Sequence, residues 1–111
     1  MNQNLTLKNN KKRPASQLPK AFKDLRERLP ELHERYGVRA LWLFGSYLRG
    51  EQRKGSDLDI LVEFDRVPSL FEFIRLERYL SELLATKVDL VMKSSLKPAL
   101  GRHILEEAQP I

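Results

Sequence analysis

Two short apolar segments, VRALWLF at residues 38–44 and DLDILVEF at residues 57–64, lie twelve residues apart and face that gap with unlike chemistry. Gly45 and Ser46 close the first, while Asp57 and Asp59 open the second. Each segment is too short for a typical helix and rich in β-branched or aromatic residues, so each predicts a strand. In the second, Leu58, Ile60, Val62 and Phe64 alternate with Asp57, Asp59, Leu61 and Glu63. Strand periodicity therefore sets an apolar face against one that carries carboxylates at its start. A chain of 111 residues has room for one small domain built around such a sheet.

The rest of the chain supplies helices to cover it. Leu18, Phe22, Leu25 and Leu29 form the stripe of an amphipathic helix starting at Ser16. Pro30 is expected to interrupt it, leaving PELHERYG as a short further turn ending at Gly37. Ser69 and Glu72 have capping-box spacing ahead of a stripe of Phe73, Leu76, Leu80, Leu83 and Leu84. A third strand is predicted over Lys87–Lys93, with Val88, Leu90 and Met92 on one face and Asp89 on the other. Ser95 is the expected cap of a final helix carrying Leu96, Leu100, Ile104 and Ala108 before Pro110. Trp42 is assigned to the core, and Tyr47 to packing beneath the Gly-Ser turn. The expected fold is α+β, with α/β-like alternation: a small three-stranded mixed sheet flanked by helices and covered mainly on one face.

Charge excludes less than its total suggests. The chain has 20 Lys and Arg against 15 Asp and Glu, but residues 1–14 alone contribute Lys8, Lys11, Lys12 and Arg13 with no acid. Residues 1–14 read as a flexible basic arm, and residues 15–111 as a nearly neutral domain. The basic balance is thus weak evidence for nucleic-acid binding, with a weak contact through the arm as the most that is expected. With no cysteine, disulfide scaffolds, thiolate zinc sites and cysteine nucleophiles are excluded. The longest apolar run, Ala40 to Phe44, is far too short to span a bilayer, and residues 1–10 lack a signal peptide's apolar stretch, so a cytoplasmic location is expected. His33 and His103 have no partner at metal-ligand spacing and are assigned ordinary structural or surface roles.

Asp57 and Asp59, two residues apart on a strand, project from one face with side-chain origins roughly 6–7 Å apart. Two such carboxylates repel, and a divalent cation resolves the conflict; magnesium is commonly held by one or two carboxylates, with waters and substrate phosphates completing its shell. Asp89, on another strand of the same sheet, adds a third acid. Gly45 permits close approach of backbone to a ligand, and Ser46 brings a hydroxyl and N–H groups suited to phosphate. Arg49, one turn later, and Arg53 or Lys54 beyond it offer cations for the same phosphate. The pattern is a phosphate cradle beside metal ligands, a site for phosphoryl-group chemistry.

Gly45-Ser46, ten residues, then Asp57-x-Asp59 resembles the signature of the DNA polymerase beta-like nucleotidyltransferases. LFGSYLRGE, SDLDILVEF and the closing ILEEA are most similar to the minimal nucleotidyltransferase (MNT) branch, over about residues 16–111. The resemblance implies a polymerase beta palm-like fold, with Asp57, Asp59 and Asp89 binding one or two Mg2+ ions and Asp89 helping to activate an attacking hydroxyl. It implies that Gly45 and Ser46 hold ATP, with Arg49 as an auxiliary phosphate or partner contact. It further implies an antitoxin that transfers AMP from ATP to a tyrosine of a helical HEPN ribonuclease toxin, with which it forms a hetero-oligomer. No acceptor domain follows the last strand and helix, so the acceptor site is expected to come from a partner chain or from oligomerisation. Neutralisation by binding alone, or transfer to a small molecule, are the alternatives.

Overall fold

The computed structural model describes residues 18–53 and 55–111. The basic arm expected over residues 1–14, the helix start at Ser16 and Lys54 lie outside the described residues. The first helix, α1, runs unbroken from Leu18 to Tyr36 with Pro30 inside it, so the expected interruption does not occur. Pro30 removes one N–H, and its would-be acceptor is the carbonyl of Arg26. Both residues are exposed, so water can satisfy that carbonyl, while Leu25 and Leu32 stay fully buried on either side of the proline. Gly37, at a φ of 74°, ends the helix and donates its N–H to the His33 carbonyl at 2.9 Å.

β1 follows at Val38–Phe44, then a one-turn helix, α2, at Ser46–Arg49, and β2 at Leu58–Phe64. α3 occupies Leu70–Leu84, and its predicted capping box is complete: Ser69 Oγ accepts from the Glu72 N–H and Glu72 Oε1 accepts from the Ser69 N–H. β3 covers Val88–Met92, and a 3-10 turn, Lys93–Ser95, leads to α4 at Pro98–Glu107 and to β4 at Gln109–Pro110. The expected final helix is therefore displaced. Ser95 Oγ donates to the Met92 carbonyl rather than capping, and Pro98, favoured in the first turn, sets the true start.

Among the described residues the sheet is mixed and has four strands in the order β3-β2-β1-β4, one more than expected. β2 runs parallel to β3 and antiparallel to β1, and β4 adds to the outer edge of β1. β4 is only two residues long, too short for any alternation to announce it, and Pro110 reads as a helix stop. Its place is fixed by the Ile111 N–H, which donates to the Leu41 carbonyl at 2.9 Å. Proline is tolerated there because the strand lies at the edge.

α1 and α3 pack on one face of the sheet. Leu25, Leu32, Leu76 and Leu80 meet Leu43, Ile60, Val62 and Leu90 in a continuous core. Burial of such side chains contributes about 1.5–3 kcal/mol each. Tyr36 and Tyr79 stack across the two helices at 6.4 Å between ring centroids. The opposite face carries Trp42, Phe44, Asp59, Leu61 and Asp89, aligned by cross-strand register. Trp42 therefore lies outside the main core; it is half-buried, with Lys93 Nζ 5.2 Å from its ring centroid. Leu61, beside it in register, is fully buried, so this second face is partly covered as well.

Candidate active site

Sheet register gathers the acids. Asp59 is the second residue of β2 and Asp89 the second of β3, and the parallel pairing sets them directly opposite each other. Asp57 precedes β2 by one residue and is half-buried; its Oδ2 lies 3.9 Å from Lys87 Nζ. The Leu58 N–H donates to the Lys87 carbonyl at 2.8 Å, which fixes where β2 begins relative to β3. The three carboxylates expected from sequence thus converge at the amino-terminal end of the parallel pair.

The antiparallel partner of Asp59 is Phe44, the last residue of β1, so the next residue, Gly45, is delivered against the same carboxylate. Gly45 sits at φ 87° and ψ −158°, a region open in practice to glycine only. A side chain there would collide with Asp59 Oδ2. The glycine is therefore required twice, once by backbone conformation and once by the carboxylate that occupies its side-chain space. Ser46 starts α2 and is half-buried, directly after the glycine that lies against Asp59. Tyr47, as expected, packs into the core, and its hydroxyl lies 3.4 Å from Thr86 Oγ1.

The electrostatics follow from this crowding. Burial, then repulsion from Asp89 and from Asp57, pushes the Asp59 carboxyl up from 3.8 to about 6, with Arg49 opposing the rise. Arg49 is itself occupied: its Nε donates to Glu51 Oε1 at 2.8 Å and a terminal nitrogen to Glu107 Oε1 at 2.9 Å, so it ties α2 to α4. Glu107 and Lys87 escaped notice in the sequence, since only the sheet register and the return of α4 bring them to this end. Arg53 is exposed, with its backbone N–H bonded to Ser56 Oγ at 2.7 Å. His33 stands apart, its Nδ1 3.1 Å from the Val38 carbonyl and 3.4 Å from Asp65 Oδ2, an acid unforeseen in the sequence. His103 is exposed on α4.

Among the described residues no three acidic or histidine groups form a ready-made cage for a metal ion. The donor set nonetheless suits magnesium: hard oxygen ligands only, partly open to solvent, with the Asp59 carboxyl raised by burial and by repulsion from Asp89 and Asp57, which Arg49 only partly offsets. Such a site is completed by substrate phosphates rather than by protein alone. Among the described residues no helix is long and apolar enough to cross a membrane.

Comparison with known proteins assigns the domain to a family. The nucleotidyltransferase domain family matches residues 22–111. The protein adenylyltransferase MntA of Thermococcus cleftensis is 57% identical over 77 residues, covering 69% of this chain and 78% of that protein. A solved structure described as a minimal nucleotidyltransferase superposes with a TM-score of 0.69 at 38% identity, covering 83% of this chain and 94% of the other. A toxin-antitoxin crystal structure with AMP-PNP superposes with a TM-score of 0.60 at 26% identity, over 86% of this chain and 70% of the other. The parallel strand pair with its opposed aspartates and Gly-Ser turn lies within the matched residues, and the chain belongs to the nucleotidyltransferase domain family, in its minimal protein-adenylyltransferase branch.

Proposed function

We propose that this chain uses Mg2+ to transfer AMP from ATP to a tyrosine hydroxyl of a helical HEPN-type toxin, and that this transfer makes it an antitoxin. The observation that carries the reading is the register pair Asp59–Asp89, with Asp57 near enough to raise the Asp59 carboxyl and Gly45 of the Gly-Ser turn against Asp59. The 57% identical relative is a protein adenylyltransferase, and the AMP-PNP structure is a toxin-antitoxin complex, which supports both the donor and the class of acceptor.

In this reading Asp57, Asp59 and Asp89 hold the magnesium. When bound, the ion neutralises charge on the phosphate oxygens and offsets the repulsion among the carboxylates. Ser46 and the turn's N–H groups orient the triphosphate, and Gly45 allows it to approach the backbone. Asp89, the most exposed of the three acids, accepts the proton of the incoming hydroxyl. The hydroxyl oxygen forms a bond to the α-phosphorus, the bond from that phosphorus to the bridging oxygen breaks, and pyrophosphate leaves with its electron pair. Proximity and charge placement supply the rate, as the chain has only to align two reactants.

The test is incubation with labelled ATP, Mg2+ and the helical partner encoded beside this chain. The partner is expected to gain one AMP per modified tyrosine, and Asp57→Ala with Asp59→Ala to abolish labelling. Equal labelling by that double variant, or none by the native chain, overturns the reading. Toxin neutralisation undiminished in the double variant would instead establish inhibition by binding alone.

A further inference from the structure

A cation at the acidic end of the sheet is only loosely held. Lys87 and Asp57 immediately precede Val88 and Leu58, the first register pair of β3 and β2, and the next pair is Asp89 with Asp59. The lysine thus enters the same end of the sheet as all three acids. Its backbone is fixed there, since the Lys87 carbonyl accepts from the Leu58 N–H at 2.8 Å. Its side chain is not. Nζ lies 3.9 Å from Asp57 Oδ2, beyond hydrogen-bond reach, and the side chain is 78% exposed. An exposed pair this long contributes little to stability, so little holds the ammonium where it is.

Arg49, which also acts on Asp59, is placed differently. It is bound to Glu51 at 2.8 Å and to Glu107 at 2.9 Å, and has to leave both before it can meet a phosphate. Lys87 has one long contact to give up, and its flexible four-carbon stem lets the charge move without the backbone.

Asp57 cannot serve both Lys87 and a divalent cation. Once its carboxylate ligates magnesium, the charge that drew the ammonium is offset and the ammonium is itself repelled. The anion to replace Asp57 arrives with the substrate, whose phosphate oxygens complete the metal's shell beside the same carboxylates. We propose that Lys87 is a further substrate-binding residue, paired with Asp57 in the free chain and transferred to the triphosphate of ATP when metal and nucleotide bind. This rests on the functional reading above and adds to it a phosphate contact on the β3 side of the site, opposite the Gly-Ser turn. Without nucleotide, Lys87 competes with the metal for Asp57; with nucleotide, it helps to hold the complex.

Those two effects have opposite signs and are measured separately. Mn2+, a hard cation suited to the same oxygen ligands, is titrated into the nucleotide-free chain and its free concentration read by electron paramagnetic resonance. Lys87→Ala is expected to tighten Mn2+ binding about threefold, the worth of one exposed charge pair. In the presence of Mg2+, the same variant is expected to bind AMP-PNP about tenfold more weakly by calorimetry, the worth of one charge-assisted hydrogen bond. Lys87→Gln, which keeps most of the length without the charge, should behave as Lys87→Ala does, and Lys87→Arg should restore most of the AMP-PNP affinity. Unchanged affinity for either Mn2+ or AMP-PNP in both uncharged variants overturns the exchange. Weaker Mn2+ binding in those variants overturns it in favour of a lysine that merely supports Asp57. Unchanged AMP-PNP affinity with weakened binding of the helical partner overturns it in favour of a protein contact. Each of these results, obtained with a native chain that labels its partner, leaves the functional reading standing. A native chain that neither binds AMP-PNP nor labels the partner overturns that reading, and the role of Lys87 with it.

Discussion

Asp59 stands opposite Asp89 across the parallel pairing of β2 and β3, two like charges set side by side by backbone register. Together with burial, that raises the Asp59 carboxyl from 3.8 to about 6. The folded chain therefore binds this proton more tightly than the unfolded chain does. Between about pH 4 and pH 6 the folded state holds more protons, so this group's contribution to stability falls as pH rises and is fully lost above pH 6. The shift bounds the loss at about 3 kcal/mol, and partial exposure reduces it to about 1–2 kcal/mol. Asp59→Asn is expected to be more stable than the native chain at pH 8 by that amount and nearly equal to it at pH 4, as measured by urea denaturation at both. An equal difference at both pH values would show that the raised carboxyl has no part in it.

Gly45→Ala tests the contact between the turn and the acid. The substitution meets two separate costs: a φ of 87° that a Cβ disfavours, and a collision with Asp59 Oδ2. Strained backbone of this kind costs about 1–3 kcal/mol before the collision is added. The expected loss is about 3 kcal/mol or more by thermal unfolding, with weakened binding of AMP-PNP because the displaced carboxylate belongs to the proposed nucleotide site. Gly50→Ala is the matching control. Gly50 also has a positive φ, 70°, but a Cβ there meets nothing within 4 Å, so its cost should be only about 1 kcal/mol and nucleotide binding should persist.

Much of this site was legible because its chemistry is local in sequence. The Gly-Ser turn ends one apolar strand and Asp-x-Asp opens the next, so period-two alternation alone placed Asp57 and Asp59 on one face. Asp89 could be assigned to the same sheet but not to its partner, because register between β2 and β3 is set by α3 crossing over the sheet. β4 escaped notice because two residues carry no periodicity. Trp42 was misplaced because VRALWLF is apolar on both faces, and such a run hides which side meets the helices. The ties of Arg49 to Glu107 and of Asp57 to Lys87 join residues far apart in the chain, and no local pattern encodes them.

Arg49 has two potential employments, and they compete. Its guanidinium is bound by Glu51 and Glu107, yet it is close enough to Asp59 to oppose that carboxyl's rise. If a triphosphate draws Arg49 away from the two glutamates, removing their charge should favour nucleotide binding. Glu107→Gln is expected to lower the nucleotide KM several-fold, and Arg49→Ala to raise it about tenfold, the worth of one charge-assisted hydrogen bond. Steady-state transfer rates over a range of ATP concentrations decide it. An unchanged KM in both variants would confine Arg49 to fastening α2 against α4.

Pro30 offers a test of the fold that leaves the site untouched. It sits within α1, where it removes the N–H that would bond to the Arg26 carbonyl. The helix persists because Leu25 and Leu32 are both fully buried and hold its two halves against the sheet. Tertiary burial thus outweighs a local propensity cost that in an isolated helix is about 3 kcal/mol relative to alanine. Pro30 is exposed, so Pro30→Ala opens no cavity and restores one backbone hydrogen bond. The expected result is a gain of about 1–3 kcal/mol in urea unfolding with transfer activity unchanged. A loss of stability would mean that the proline's restriction of the unfolded chain outweighs the hydrogen bond it removes.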